Sequence, residues 1–91
     1  MPLIVRQSTQ FRRDVKRLLR QGADLSRLEA VVATLIDEQA LDDRYRDHAL
    51  IGNWKGHREC HIHPDWLLIY RVTSEELQLV RTGTHSELFG R

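Results

Sequence analysis

Only one cysteine, Cys60, occurs in the 91 residues. No internal disulfide can form, and nothing calls for an oxidising compartment. Long apolar runs are also missing. The longest, Trp66 to Tyr70, falls far short of the roughly 20 residues that cross a bilayer, and no leader-like apolar stretch opens the chain. The expectation is a cytoplasmic protein with no membrane partner. Prolines stand only at positions 2 and 64, so most of the chain is free to form regular structure. There is no internal repeat and no low-complexity tract. The length suits one domain, residues 1–91, with a single core. The formal net charge is only +1, which excludes a strongly polycationic protein but conceals a local excess. Arg6, Arg12, Arg13, Lys16, Arg17 and Arg20 face Asp14 alone in the first twenty residues.

Apolar spacing divides the chain into elements. Leu3 to Arg6 reads as a strand. Ser8 or Thr9 then caps a helix with Phe11, Val15, Leu18 and Leu19 on one face and basic residues around the remainder, ended by Gly22. Asp24 caps a second helix whose stripe is Leu25, Leu28, Val31, Val32, Leu35 and Ile36, ending near Gln39. The short loop predicts antiparallel helices. Residues 40–53 carry little periodicity and read as an ordered surface connection. Arg58 to Ile62, Trp66 to Val72 and Leu77 to Thr82 follow as a β-meander, and Thr84 with Glu87 forms a capping-box pattern for a short terminal helical turn. The expected fold class is α+β, in the order β-α-α-β-β-β, with both helices on one face of a small antiparallel sheet.

Chemistry concentrates in five histidines: His48, His57, His61, His63 and His85. Strand alternation puts His57, Glu59, His61 and His63 on one face, with Pro64-Asp65 turning the chain. One reading is a metal site of His61, His63 and Asp65, although Pro64 takes Asp65 out of regular alternation. The other is metal-free acid and base catalysis on RNA, where the 2′-hydroxyl serves as nucleophile and imidazoles move the protons. His85 at a helix start lies in a neighbourhood that favours phosphate. Cys60 reads as a small buried apolar side chain.

Several separated motifs occur in order: Tyr45-Arg46-Asp47-His48, Gly52-Asn53-Trp54-Lys55-Gly56, His61, Pro64-Asp65-Trp66, Ile69-Tyr70, and Arg81-Thr82-Gly83-Thr84-His85 with Leu88-Phe89. This pattern resembles the YafQ branch of the RelE-like bacterial toxins. The resemblance implies a RelE-like fold and the toxin half of a type II toxin-antitoxin pair. Such a toxin is a ribosome-dependent endoribonuclease that cuts mRNA in the ribosomal A site without cofactor or metal. It implies His85 as proton donor, with His48, His61 and Asp65 in the active site and Trp66 and Phe89 supporting it or contacting RNA. His61 assisted by Asp65 is favoured as the general base, with His48 as competitor, and Arg81 as stabiliser of phosphoryl charge. Lys16, Arg17 and Arg20 on the first helix are expected to meet ribosomal RNA phosphates or an acidic antitoxin segment. The expected partners are therefore the ribosome with its mRNA and a cognate antitoxin, which alone would bring the complex to DNA. The free toxin is expected to be a monomer. A non-catalytic toxin or nucleic-acid-binding module of the same fold is the alternative.

Overall fold

The computed structural model describes residues 2–90. Strand β1 (Ile4–Gln7) leads into helices α1 (Thr9–Arg20) and α2 (Ser26–Ile36). After a connection come β2 (His48–Ala49), β3 (Arg58–His63), β4 (Trp66–Val72), β5 (Glu76–Gly83) and the short α3 (His85–Phe89). The sheet runs β1-β5-β4-β3-β2. The meander is antiparallel, as tight turns require, but β1 lies parallel to β5. The sheet is thus mixed rather than wholly antiparallel. β1 joins the sheet through the helix pair, so no hairpin dictates its direction.

The two faces of the sheet bury different cores. On one, Phe11, Leu28, Val31 and Leu35 from the helices cover Cys60, Ile62, Leu68, Tyr70, Leu77 and Leu79. On the other, Leu67 and Ile69 gather Leu88, with Leu50, Trp54, Val80 and Phe89 packed against them. This alternation explains why β4 reads as an unbroken apolar run: both its faces are covered. Cys60 is fully buried, and burial, with the negative charges of Asp47 and Glu59 behind it, pushes its thiol pKa up to about 12. It is an inert core side chain.

Ser8 caps α1 by accepting the Phe11 N–H at 2.9 Å, while its own hydroxyl donates to the Val80 carbonyl at 2.7 Å. Asp24 accepts the Ser26 N–H at 2.9 Å, so it caps the start of α2 although Leu25 is the flanking residue. Leu19 is not part of the buried face; it is 55% exposed. Asp14 takes that place, fully buried one turn from Phe11 and Leu18.

Asp14 is buried because β5 outruns β1. Their ladder ends at Gln7 and Leu79, leaving the edge of Thr82 with no strand beside it. Side chains of α1 supply the missing partners: Asp14 accepts the Thr82 N–H at 3.1 Å, and Arg17 donates to the Thr82 carbonyl at 3.0 Å. Arg81 closes the group through two bonds to Asp14, at 2.8 and 3.2 Å. Burial alone would raise the Asp14 pKa, but the bonds from Arg81, Arg17 and Thr82 outweigh it and hold the pKa below its ordinary value.

Residues 40–53 are more structured than their pattern suggests, with two 3₁₀ turns at Asp43–Tyr45 and Gly52–Trp54 around β2. Asp47 anchors the segment by accepting hydrogen bonds from the Tyr70 hydroxyl and from Arg58. Burial and the bond to Asp47 push the Tyr70 hydroxyl pKa well up. Fixing Asp47 fixes His48 beside it, and His48 pairs in register with Glu59.

Candidate active site

Three imidazoles line up across the face that bears the smaller core. His48 on β2 lies 6.3 Å from His61 on β3, and His61 lies 5.8 Å from His85 at the start of α3, measured between ring centroids. Each end of the row has a carboxylate. Asp65, in the β3–β4 turn, accepts from both the backbone N–H and Nδ1 of His85, at 3.1 and 2.7 Å. These bonds lower the Asp65 pKa. The carboxylate is therefore ionised at neutral pH and can only accept, so His85 carries its proton on Nδ1 and leaves Nε2 for chemistry.

At the other end stands Glu59, almost fully buried, 3.2 Å from His48 Nε2 and 3.9 Å from His61 Nε2. The carboxylate beside His61 is thus Glu59, beyond hydrogen-bond distance, while Asp65 is engaged by His85. Glu59 shares the strand face of His61, but alternation alone assigns it no role; only the register that brings His48 opposite it does. His48 Nδ1 lies 2.7 Å from the Arg46 carbonyl. Both His48 nitrogens thus have an oxygen partner, which fixes the plane of the ring.

The trio of His61, His63 and Asp65 does not assemble. A β-bulge between His61 and His63 shifts the register with β4, and His63 stacks on Trp66 at 5.8 Å instead of joining His61. A bulge adds one residue and so reverses the facing of the side chain that follows. A different trio converges: one ligand atom each from Glu59, His61 and His85 lie within 4.8 Å of one another.

Arg81 and Arg17 are not free to clasp phosphate. The Nε and Nη2 edge of Arg81 is taken by Asp14, and Arg17 is held by Asp14 at 2.8 Å and Glu87 at 2.8 Å. Lys16 and Arg20 are exposed on α1. Trp66 donates from Nε1 to the Thr82 hydroxyl at 2.9 Å and packs against the larger core. Phe89 meets the Trp54 edge at 6.3 Å. Both aromatics are partly buried, Phe89 with the smaller core on the face of the histidine row and Trp66 with the larger core on the other.

Helix α3 is held by its capping box, Glu87 N–H to Thr84 Oγ1 at 3.1 Å and Thr84 N–H to Glu87 at 2.9 Å. Glu87 and Arg17 crowd Gly83 so closely that a Cβ there would sit 2.6 Å from Arg17 Nη2 and 2.8 Å from Glu87 Oε1. Gly83→Ala is accordingly expected to cost about 1–3 kcal/mol and to loosen α3. Thermal unfolding and the His85 imidazole NMR signals would report both; an unchanged melting temperature would remove this packing argument.

The family model for the bacterial toxin of type II toxin-antitoxin systems, YafQ, matches residues 3–90. The chain belongs to this family. It is 43% identical over 84 residues to the mRNA interferase toxin YafQ of Escherichia coli K12, covering 91% of each chain. Its fold superposes with a TM-score of 0.92 on a structure of the E. coli DinJ-YafQ toxin-antitoxin complex, at 40% identity over 99% of this chain and 100% of the other. A metal-bound toxin from Helicobacter pylori, 47% identical, superposes with a TM-score of 0.88 over 98% of this chain and 100% of that one. YafQ membership accounts for the α+β order and for the motifs from Tyr45 to Phe89. It also places the histidine row on a fold shared with known toxins.

Proposed function

We propose that this chain, an mRNA interferase toxin by family, cuts mRNA in the ribosomal A site by metal-independent acid and base catalysis and so blocks translation. The observation that carries the reading is the row His48–His61–His85 with a carboxylate at each end. Cleavage by 2′-hydroxyl attack needs a base on one side of the phosphorus, an acid on the other and a positive group beside the phosphoryl oxygens. His61 takes the 2′-hydroxyl proton, with Glu59 behind it. His85, oriented by Asp65, returns a proton to the departing 5′-oxygen from Nε2. His48, held between the Arg46 carbonyl and Glu59, keeps Glu59 in place beside His61. The exposed Lys16 and Arg20 suit ribosomal RNA phosphates. The inhibitory partner is a cognate antitoxin, as in the DinJ-YafQ pair of E. coli, and DNA would be reached only through it. No described helix is long and apolar enough to cross a membrane.

Metal fits the same residues, because two imidazoles and a carboxylate suit zinc or copper. An ion on Glu59, His61 and His85 would supply positive charge beside the phosphate. It would also tie up two imidazole nitrogens that the proton transfers use. Purified toxin on ribosomes programmed with a defined mRNA is therefore expected to retain full cleavage after chelation and to lose it when zinc or copper is added. Loss on chelation, restored by a divalent ion, would overturn the metal-free mechanism. Cleavage of the same mRNA free in solution at equal rate would overturn the ribosome dependence.

A further inference from the structure

A groove of about 320 Å³ opens from His61 and is lined by Arg27, Arg44, Arg46, His61, His63 and Pro64. Its arginines lack the close carboxylate that four others on the molecule have. Arg6, Arg17, Arg58 and Arg81 each have a carboxylate within 3.3 Å. Among the described residues, Arg27 and Arg46 form no ion pair, and the nearest carboxylate to Arg44 is exposed Asp42 at 3.9 Å. The Arg27 Nε is buried with no acceptor. The fold therefore gathers three guanidiniums in one concavity, two with no ion pair and Arg44 with only the long contact to Asp42, which favours a bound anion there.

The groove is also preorganised. The Arg27 and Arg44 guanidiniums lie 5.4 and 5.1 Å from the Tyr45 ring centroid, an aromatic support that holds their planes while leaving their N–H groups to donate. Arg46 takes a left-handed backbone conformation, φ 49°, and its carbonyl holds His48. The same turn thus sets one wall of the groove and one end of the histidine row. A planar guanidinium matches phosphate oxygens two at a time.

We propose that Arg27, Arg44 and Arg46, with His63 at the rim, form a second phosphate subsite that grips the message strand next to the cleaved bond and sets it across His61. This rests on the reading of the chain as an RNA-cleaving toxin and adds a positioning role to it. The subsite explains how the strand is held when Arg17 and Arg81 are bound up in the fold. It reads the sugar-phosphate backbone and no base.

The test uses a 2′-O-methyl oligoribonucleotide, which binds but cannot be cut, with Arg27→Gln/Arg44→Gln/Arg46→Gln. The milder Arg44→Gln/Arg46→Gln alters exposed side chains only and guards against misfolding. Affinity is expected to fall about tenfold or more, and the slope of log affinity against log salt to shrink by about 0.7 for each phosphate that the variant no longer neutralises. His85→Ala is expected to keep full affinity for the oligonucleotide while losing cleavage. Unchanged affinity and slope in both arginine variants would overturn the subsite, whatever cleavage does. Weaker binding to empty ribosomes, with binding of the oligonucleotide intact, would assign the groove to ribosomal RNA and overturn it as a message site. Loss of affinity for an acidic antitoxin peptide alone would do the same. If wild type binds the oligonucleotide through the groove but leaves programmed ribosomes uncut, the nuclease reading fails and the subsite stands.

Discussion

His85→Ala is expected to lower single-turnover cleavage on programmed ribosomes by about 100- to 10,000-fold, the usual contribution of a positioned proton donor. Ribosome association should persist. The expectation follows from where the His85 protons sit. The Nδ1 proton is given to Asp65 at 2.7 Å, so only Nε2 is available to the leaving oxygen. Asp65→Asn keeps the shape and removes the charge, and should cost less, about 10- to 100-fold, because a neutral amide can turn either an acceptor or a donor to Nδ1. The Asp65 pKa is lowered in the folded chain, first by the His85 side-chain bond and then by the His85 backbone N–H. A lowered carboxylate contributes its stabilisation above the unfolded value of 3.8 and loses it as pH falls through the lower folded value. The contribution of the Asp65 carboxylate to α3 docking should therefore be fully present at neutral pH and be lost only in acid, below about pH 4. Mapping mRNA 5′ ends after induction provides the cellular check: codon-phased cuts should appear with wild type and vanish with His85→Ala. Undiminished cleavage by that variant would remove His85 from the mechanism.

The second large effect is on stability. Asp14→Ala is expected to cost about 2–3 kcal/mol, toward the low end for breaking a buried ion pair because the two arginines keep some solvent. In a chain this small that lowers the melting temperature by about 10–20 °C. The loss has three parts: Arg17 and Arg81 lose their shared carboxylate, the Thr82 N–H loses its acceptor, and the end of β5 loses its edge. That end leads through Gly83 into Thr84 and His85, so residual activity should fall beyond what unfolding explains. Denaturant titration with cleavage assayed well below the midpoint separates the two effects. A stability change under about 1 kcal/mol would mean that the Asp14 cluster is structurally idle. The same geometry makes Arg17 a poor choice for testing the basic face of α1, since its substitution would damage the fold; Lys16 and Arg20 serve better.

The elements were legible in the sequence because their signals are local. Apolar spacing marks both helices, Ser8 and the Thr84–Glu87 box mark two helix starts, and the doubly apolar run from Leu67 to Tyr70 marks the central strand. The motif set marks His48, His61, Asp65 and His85 as one group. Their pairing was not legible. Glu59 is one more charged strand residue until β2 places His48 opposite it, and a two-residue strand has no pattern to detect. The bulge that turns His63 onto Trp66 depends on register with β4, which no single strand encodes. Arg81 and Arg17 look like phosphate binders by charge, and Asp14 looks like one acid on a basic helix.

By itself, then, the sequence determined the α+β element order, the family and the residues from which the site is built, since each rests on spacing along the chain. Tertiary structure alone decided which carboxylate serves which histidine and which arginines remain free. Apart from the local Arg17–Asp14 pair, those choices depend on contacts between residues 11 to 70 apart in the chain, where the outcome is set by sheet register and by which edge is left without a strand.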